Sequence, residues 1–223
     1  QTPAGSHNNI IGGSSLTGST FTVEAWIYPV SRQSGAAGNL GYVVGDFNIS
    51  GGNGDWTIGP DQNGKITVFW YNGSGFTCSS TNIAPLYTWT HFAVTINSGV
   101  INIFINGVQE TLTGTTTVSS GVGSNGYISS GGYLFNGTTW QGFNGNVSNL
   151  RIVKNTVLYT GNFTPSTTPL TAITNTTLLM CQSNRFVDNS TNNYAITVVN
   201  TTSIQPFSPF APAAAYGVST VGG

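Results

Sequence analysis

Apolar residues recur at every second position over short stretches, and turn-forming residues separate those stretches. In FTVEAWIYPV (21–30), Phe21, Val23, Ala25 and Ile27 alternate with Thr22, Glu24, Trp26 and Tyr28. That is the period-2 pattern of a strand with one buried face. LGYVVGDFNI (40–49) and DWTIGP (55–60) come next. GKITVFWYNGSG (64–75) enters from DQNG and leaves through YNG, both Asn-Gly pairs suited to positive φ. WTHFAVTINSGVINIFINGVQ (89–109) reads as a hairpin joined at NSG, with a second turn at NG. GYLFNGTTW (132–140), TLLMCQSNRFVDNST (177–191) and YAITVVN (194–200) complete the series. No helical period of useful length and no fixed internal repeat stands out. About a dozen short strands at this spacing predict an all-β, two-sheet antiparallel jelly-roll sandwich.

The stretch FNGNVSNLRIVKNTVLYTGNFTP (143–165) holds two of the five basic residues of the chain. Val147, Asn149, Arg151 and Val153 alternate with Ser148, Leu150 and Ile152, as in a strand with one buried face. NTVLYTGNFTP then offers Val157, Leu158, Tyr159 and Phe163 to seal the sandwich edge. On this reading Arg151 and Lys154 face solvent, and Arg151 pairs with a carboxylate such as Asp188. The segment is expected to be a closing strap rather than a basic ligand loop.

Composition narrows the class. The chain has 223 residues, of which 38% are hydrophobic and 12% aromatic, enough for one large β domain with a packed core. Charged residues make up 5%, against about 25% in ordinary globular proteins; polarity comes instead from Thr, Ser, Asn and Gly. A net charge of −1 argues against phosphate-driven nucleic-acid binding and against binding to anionic membranes. No run of 18 apolar residues is present, so no helix is predicted to span a membrane. Cys78 and Cys181 lie far apart and in no metal spacing; they read as free thiols, with a single bridge as the alternative. Three regions are expected: a polar amino-terminal segment (1–15), the sandwich (16–200) and a Pro/Ala/Gly-rich carboxy-terminal arm (201–223). The chain starts at Gln1 rather than Met, as expected of a processed chain or of a segment of a longer one.

YTWTHFAVTINSGVINIFINGVQ, FTVEAWIYPV and the long stretch from FNGNVSNLRIVK to NNYAITV resemble a laminin-G-like, concanavalin A-like jelly-roll domain. The resemblance covers Leu16 to Val199. The closing signature SNLRIVK…LYTGNFTP…PLTA…LLMCQSNRFVDNS is similar to that of virion proteins of bacteriophages, especially of marine and cyanobacterial hosts. The resemblance implies two packed antiparallel sheets with ligand loops at one rim. Related domains bind glycans, often with calcium, and others serve as display or assembly modules.

Candidate chemistry is sparse. Glycoside hydrolysis needs two carboxylates flanking the bond, and the two glutamates, Glu24 and Glu110, have no acidic neighbour in sequence. Glu24 is expected to be structural. So is His91, at the position where the resembled family has a histidine; neither it nor His7 forms a nucleophilic pair with a cysteine. The chain is therefore read as a non-enzyme. Asp46, Asn48 and Ser50 mimic the first half of a calcium-binding loop, but position twelve is Thr57 rather than a glutamate. Ser148 and Asn149 also replace aspartates of the resembled family, so calcium is disfavoured and no cofactor is expected. Sugar-stacking candidates are the aromatics read as loop residues: Trp56, Tyr71, Phe76 and Trp140. Trp26, Trp70 and Trp89 are assigned to the core.

The function expected is that of a virion surface structural protein, a capsid decoration or fibre module with some capacity for host-glycan adhesion. Its partners would be other virion subunits, engaged through the carboxy-terminal arm. The alternatives are a stand-alone lectin or adhesin on a cell surface, and an extracellular filament subunit.

Overall fold

The structure is a computed structural model that describes residues 7–11, 19–32, 41–46, 56–118, 127–135, 139–183 and 185–210. The alternating runs become strands, and no helix occurs among the described residues. In chain order the strands are β1 His7–Ile11, β2 Phe21–Pro29, β3 Val44–Asp46, β4 Trp56–Pro60, β5 Lys65–Tyr71 and β6 Gly75–Ile83. Then come β7 Thr90–Asn97, β8 Val100–Ile105, β9 Val108–Gln109, β10 Leu112–Gly114 and β11 Tyr127–Ser130. The last are β12 Gly132–Phe135, β13 Thr139–Gly142, β14 Gly145–Lys154, β15 Thr176–Met180 and β16 Ala195–Val199.

Two antiparallel sheets carry the fold. One runs β10-β6-β5-β4-β3-β11-β1-β16, the other β15-β14-β2-β7-β8-β9, and β12 and β13 pair separately. His7–Ile11, inside the expected amino-terminal segment, pairs with both β11 and β16 and so belongs to the eight-stranded sheet. The core lies between the sheets. Phe21, Val23, Ala25 and Ile27 of β2, with Phe92, Val94, Leu150 and Ile152 beside them, join Trp56, Ile58, Ile66, Val68 and Trp70 in one buried cluster. Phe21 and Trp56 bring the two sheets into contact, with ring centroids 5.8 Å apart. The predicted turns form as Asn/Ser-Gly chemistry requires: Ser98–Gly99 and Asn106–Gly107 take φ values of 47°, 87° and 50°, 80°.

The expected alternation of β14 fails at one residue. Ser148 pairs with Trp26 and Arg151 with Glu24, so three steps on β14 match two on β2. Asn149, at φ 55°, is the point where the phase changes. This bulge keeps Val147 and Ile152 against the core and turns Arg151 onto the side of Glu24. Arg151 is thus 7% exposed rather than at the solvent side, and its partner is Glu24 rather than Asp188.

Glu24 is 1% exposed and accepts four hydrogen bonds. Arg151 donates to Oε1 from Nε (2.8 Å) and Nη2 (2.5 Å). His91 Nε2 (3.2 Å) and the Tyr159 hydroxyl (2.8 Å) reach Oε2. An ionised carboxylate only accepts, so the proton of His91 sits on Nε2. Burial acts to raise the Glu24 pKa, but the bond from His91 and the charges of Arg151 and His91 outweigh it and hold it below the usual 4.5. Burial and the Glu24 charge raise the Tyr159 phenol above its ordinary range.

Tyr159 belongs to the strap after β14, which covers the outer face of the six-stranded sheet rather than sealing an edge. Asn155 N–H donates to Thr20 O, Leu158 N–H to the Thr22 hydroxyl and Phe163 N–H to Gly107 O, at 2.9, 3.0 and 2.8 Å. Tyr159 and Phe163 stack at 3.5 Å and 5°, and Phe163 meets His91 and Phe104 edge-on. At its far end Arg151 Nη1 donates to Thr171 O (3.0 Å), and Leu170 N–H to Asn149 Oδ1 (2.7 Å). Gly107 is where hairpin and strap touch. Its φ is 80°, and an added Cβ would lie 1.9 Å from Phe163 O.

Both anchors are open to mutation. Gly107→Ala should cost more than about 1 kcal/mol in urea unfolding, since both its φ and the strap resist a side chain; an unchanged midpoint would show that the strap is not pinned there. Glu24→Gln strands a buried guanidinium and should cost about 3–5 kcal/mol at neutral pH, with part recovered by adding Arg151→Met. Because the folded-state pKa of Glu24 is depressed, its contribution is complete above the unfolded value of 4.5 and is lost as pH falls through the folded one. Wild-type stability should therefore drop on acidification below that value more steeply than that of Glu24→Gln. Equal acid slopes would contradict the assignment.

Candidate functional site on the outer face of the six-stranded sheet

Each carboxylate whose side chain is described serves the fold. Glu24 is enclosed as above. Glu110 accepts from Asn82 N–H (2.9 Å) and Asn82 Nδ2 (3.2 Å). Asp61 caps its turn through Asn63 N–H and Lys65 N–H. Asp188 accepts from the backbone of Leu179, Ser190 and Tyr194 and from the Ser190 hydroxyl, at 2.7–3.0 Å. No cluster of three metal-ligating side chains occurs among the described residues. Asp46 ends β3, while Asn48 lies outside the described residues. Ser148 and Asn149 are engaged locally: Asn149 Nδ2 donates to Ser148 Oγ (2.8 Å). Cys78 and Cys181 are unbridged; burial pushes their thiols up to about 11 and about 12, so both stay protonated at neutral pH.

The four expected sugar-stacking aromatics do not form one platform. Trp56 is the first residue of β4, 1% exposed, and pairs across the sheet with Trp70. It is core, because the strand begins at Trp56 itself and its parity with Ile58 points it inward. Phe76 is half-buried and stacks on Trp70 at 5.7 Å and 20°. Tyr71 ends β5 opposite Gly75, half-buried. These three gather at one end of the eight-stranded sheet. Trp140 lies apart on β13, paired with Leu134.

Different aromatics line the open concavities. After β16, at the edge of the eight-stranded sheet, the arm crosses to the outer face of the other sheet. Phe207 meets Tyr28 edge-on at 4.7 Å and Trp89 at 5.2 Å, and Phe210 meets Trp26 edge-on at 5.9 Å. Residues 207–210 of the arm thus pack on their own sandwich, and residues 211–223 lie outside the described residues. Between arm and strap runs a groove of about 450 Å³, lined by Trp26, Trp89, Asn106, strap residues 164–167 and arm residues 209–210. The indole nitrogens of Trp26 and Trp89 are buried and have no hydrogen-bond partner among the described residues. A second concavity of about 390 Å³ lies between arm residues 202–208, the loop after β15 and the start of β14.

Trp70 is core, as expected, but Trp26 and Trp89 are half-buried on the outer face. The signal for Trp26 is present in the chain: it alternates out of phase with Phe21, Val23, Ala25 and Ile27. For Trp89 and the arm phenylalanines no local pattern exists, since the arm makes its contacts across more than a hundred residues of sequence.

Comparison with known proteins places this geometry. A family model, Laminin_G_3 of the concanavalin A-like lectin/glucanases superfamily, matches residues 3–158. The match starts ahead of the expected Leu16 and stops short of most of the closing signature. Curated proteins give no match. Among solved structures, a candidate carbohydrate binding protein from Bacteroides ovatus is similar at 16% identity and TM-score 0.55, covering 94% of this chain and 62% of that one. This chain thus spans less than two thirds of that protein. The Ruminococcus gnavus IT-sialidase CBM40 bound to alpha2,6 sialyllactose is similar at 12% identity and TM-score 0.51, covering 69% of this chain and 94% of that one. The leech intramolecular trans-sialidase is similar at 14% identity and TM-score 0.51, covering 70% of this chain and 27% of that one. These likenesses carry the fold. With well over half of its length matched by the family model, the chain belongs to the laminin G-like branch of the concanavalin A-like lectin/glucanases superfamily.

Proposed function

We propose that the chain is a non-enzymatic surface module that adheres to glycans and is carried on the outside of a virion, as a capsid decoration or fibre module. The observation that carries the adhesion is the groove between strap and arm. It is lined by two half-buried tryptophans, Trp26 and Trp89, beside hydroxyl and amide side chains. Aromatic faces match the apolar side of a sugar ring, and the neighbouring amides and hydroxyls can meet its hydroxyl groups. The similarity to a Bacteroides ovatus candidate carbohydrate binding protein and to a sialyllactose-binding module supports the same reading. Catalysis is not part of the proposal, because the described carboxylates are committed to the fold. Neither is calcium, because Ser148 and Asn149 are neutral and spent on each other and on Leu170.

The virion setting is supported by the resemblance of the closing signature and by a surface that is nearly uncharged. Subunit contacts would then use arm residues beyond Phe210. One observation favours a second reading, a stand-alone lectin or adhesin: the arm folds back on its own sandwich through Phe207 and Phe210. Cryo-microscopy of a particle carrying the chain separates the two readings, since a chain found only as a free monomer contradicts the virion role.

Glycan-array binding by the full chain tests the adhesion, paired with an assay for released reducing ends. Binding without release is expected. Trp26→Phe and Trp89→Phe keep a ring but reduce the stacking face, and should weaken binding by about two- to tenfold. Silence across a broad array, or variants that bind as the wild type does, would overturn the assignment.

A further inference from the structure

Of the five basic residues, two are consumed by the fold: Arg151 by Glu24, and Arg32 by the carbonyl of Ala84. Arg185 is different. It is exposed, makes no ion pair among the described residues, and lies on the rim of the concavity of about 390 Å³ beneath the arm. No carboxylate is found among the described residues that line it. The nearest acidic residue in sequence, Asp188, is saturated by three backbone N–H groups and a hydroxyl. The guanidinium donors of Arg185 are not spent on a carboxylate among the described residues and stay open to water or to an incoming anion.

The two ends of the loop that carries Arg185 are tied down. Cys181 O accepts from Asn149 N–H (2.9 Å) and the Ser148 hydroxyl (3.3 Å). Gln182 donates to Leu170 O and accepts from Asn189 Nδ2 (2.9 Å). Asp188 fixes the return of the chain. Fixed loop ends lower the ordering cost of binding at Arg185. Around Arg185 the lining combines amides and hydroxyls (Asn146, Gln182, Ser183, Gln205) with the rings of Phe186 and Phe207.

We infer that this cleft binds an anionic sugar, whose carboxylate or sulfate pairs with Arg185 while the ring lies against Phe186 and Phe207. The inference rests on the glycan reading above and adds the ligand class. Guanidinium suits both oxyanions, because its planar donors match two oxygens at once. Amides and hydroxyls meet the remaining sugar hydroxyls, and a neutral sugar would leave the cation unanswered.

The test is calorimetric titration of the full chain with matched probes: lactose, 3′-sialyllactose and 3′-sulfolactose, and galactotriose against tri-galacturonic acid. Wild type should bind the charged member of a set about tenfold or more tighter than the neutral one, and that margin should shrink in high salt. Preference for carboxylate alone, sulfate alone or both each supports the site and names its anion. Arg185→Gln should erase the preference while keeping neutral binding and the thermal midpoint, and Arg185→Lys should restore part of it. Equal wild-type affinity for charged and neutral probes, or a preference that survives in Arg185→Gln, overturns the inference but leaves the glycan reading standing. Binding of no glycan at all overturns both.

Discussion

A single carboxylate, Glu24, is the constraint on which the outer half of this molecule depends. Burying one ion in a protein interior costs several kcal/mol unless its lone pairs are met. Here they are met from three directions: Arg151 from the neighbouring strand β14, His91 from β7 on the other side, and Tyr159 from the strap above. The charge thus specifies which segments must come together. A carboxylate in a β2 position that faces outward would ordinarily be solvated; this one is satisfied only when the bulge at Asn149 turns Arg151 toward it and the strap closes over it.

The molecule is in consequence a sandwich with a third, thin layer. The inner core sits between the two sheets, and a second apolar seam, Phe104 with Tyr159 and Phe163, sits between the six-stranded sheet and its strap. The carboxy-terminal arm covers the neighbouring part of the same face through Phe207 and Phe210. Strap and arm do not meet edge to edge, and the space left between them is the groove floored by tryptophans. Beyond the arm, the loop tied down by Asp188 leaves the second concavity, with Arg185 on its rim. Binding surfaces arise here because two irregular segments cover a sheet incompletely, while the described carboxylates are spent on the strap, on turns and on neighbouring loops.

Much of this architecture is legible along the chain. Strand alternation at 21–29 and the Asn-Gly and Ser-Gly turns predict elements close to those observed, because both depend on local stereochemistry. The closing role of the segment after β14 is also visible in its apolar content. The residues that escape are those whose environment is set by distant partners. The extra residue at Asn149 resets the phase so that Arg151 faces outward beside Glu24. Alternation does not show that the strap covers that face, which leaves Arg151 buried and paired with Glu24 while Asp188 serves backbone N–H groups. Trp56 resembles a loop residue because it comes after a glycine-rich stretch, yet its strand parity makes it core. Trp26 has the size and apolarity of a core residue, although its parity with Glu24 and Tyr28 already points outward. Phe207 and Phe210 escape altogether, since nothing local says that an arm rich in proline will dock on aromatics contributed by β2.

With the strap held by Glu24 and the arm by its aromatic contacts, ligands meet this protein where those two segments leave the six-stranded sheet open. A crystal structure of the full chain soaked with its tightest oligosaccharide tests that claim most directly. Sugar density against Trp26 and Trp89, or beside Arg185, is the predicted result. Density confined to the end of the eight-stranded sheet near Tyr71 and Phe76, with both concavities bare, would contradict it.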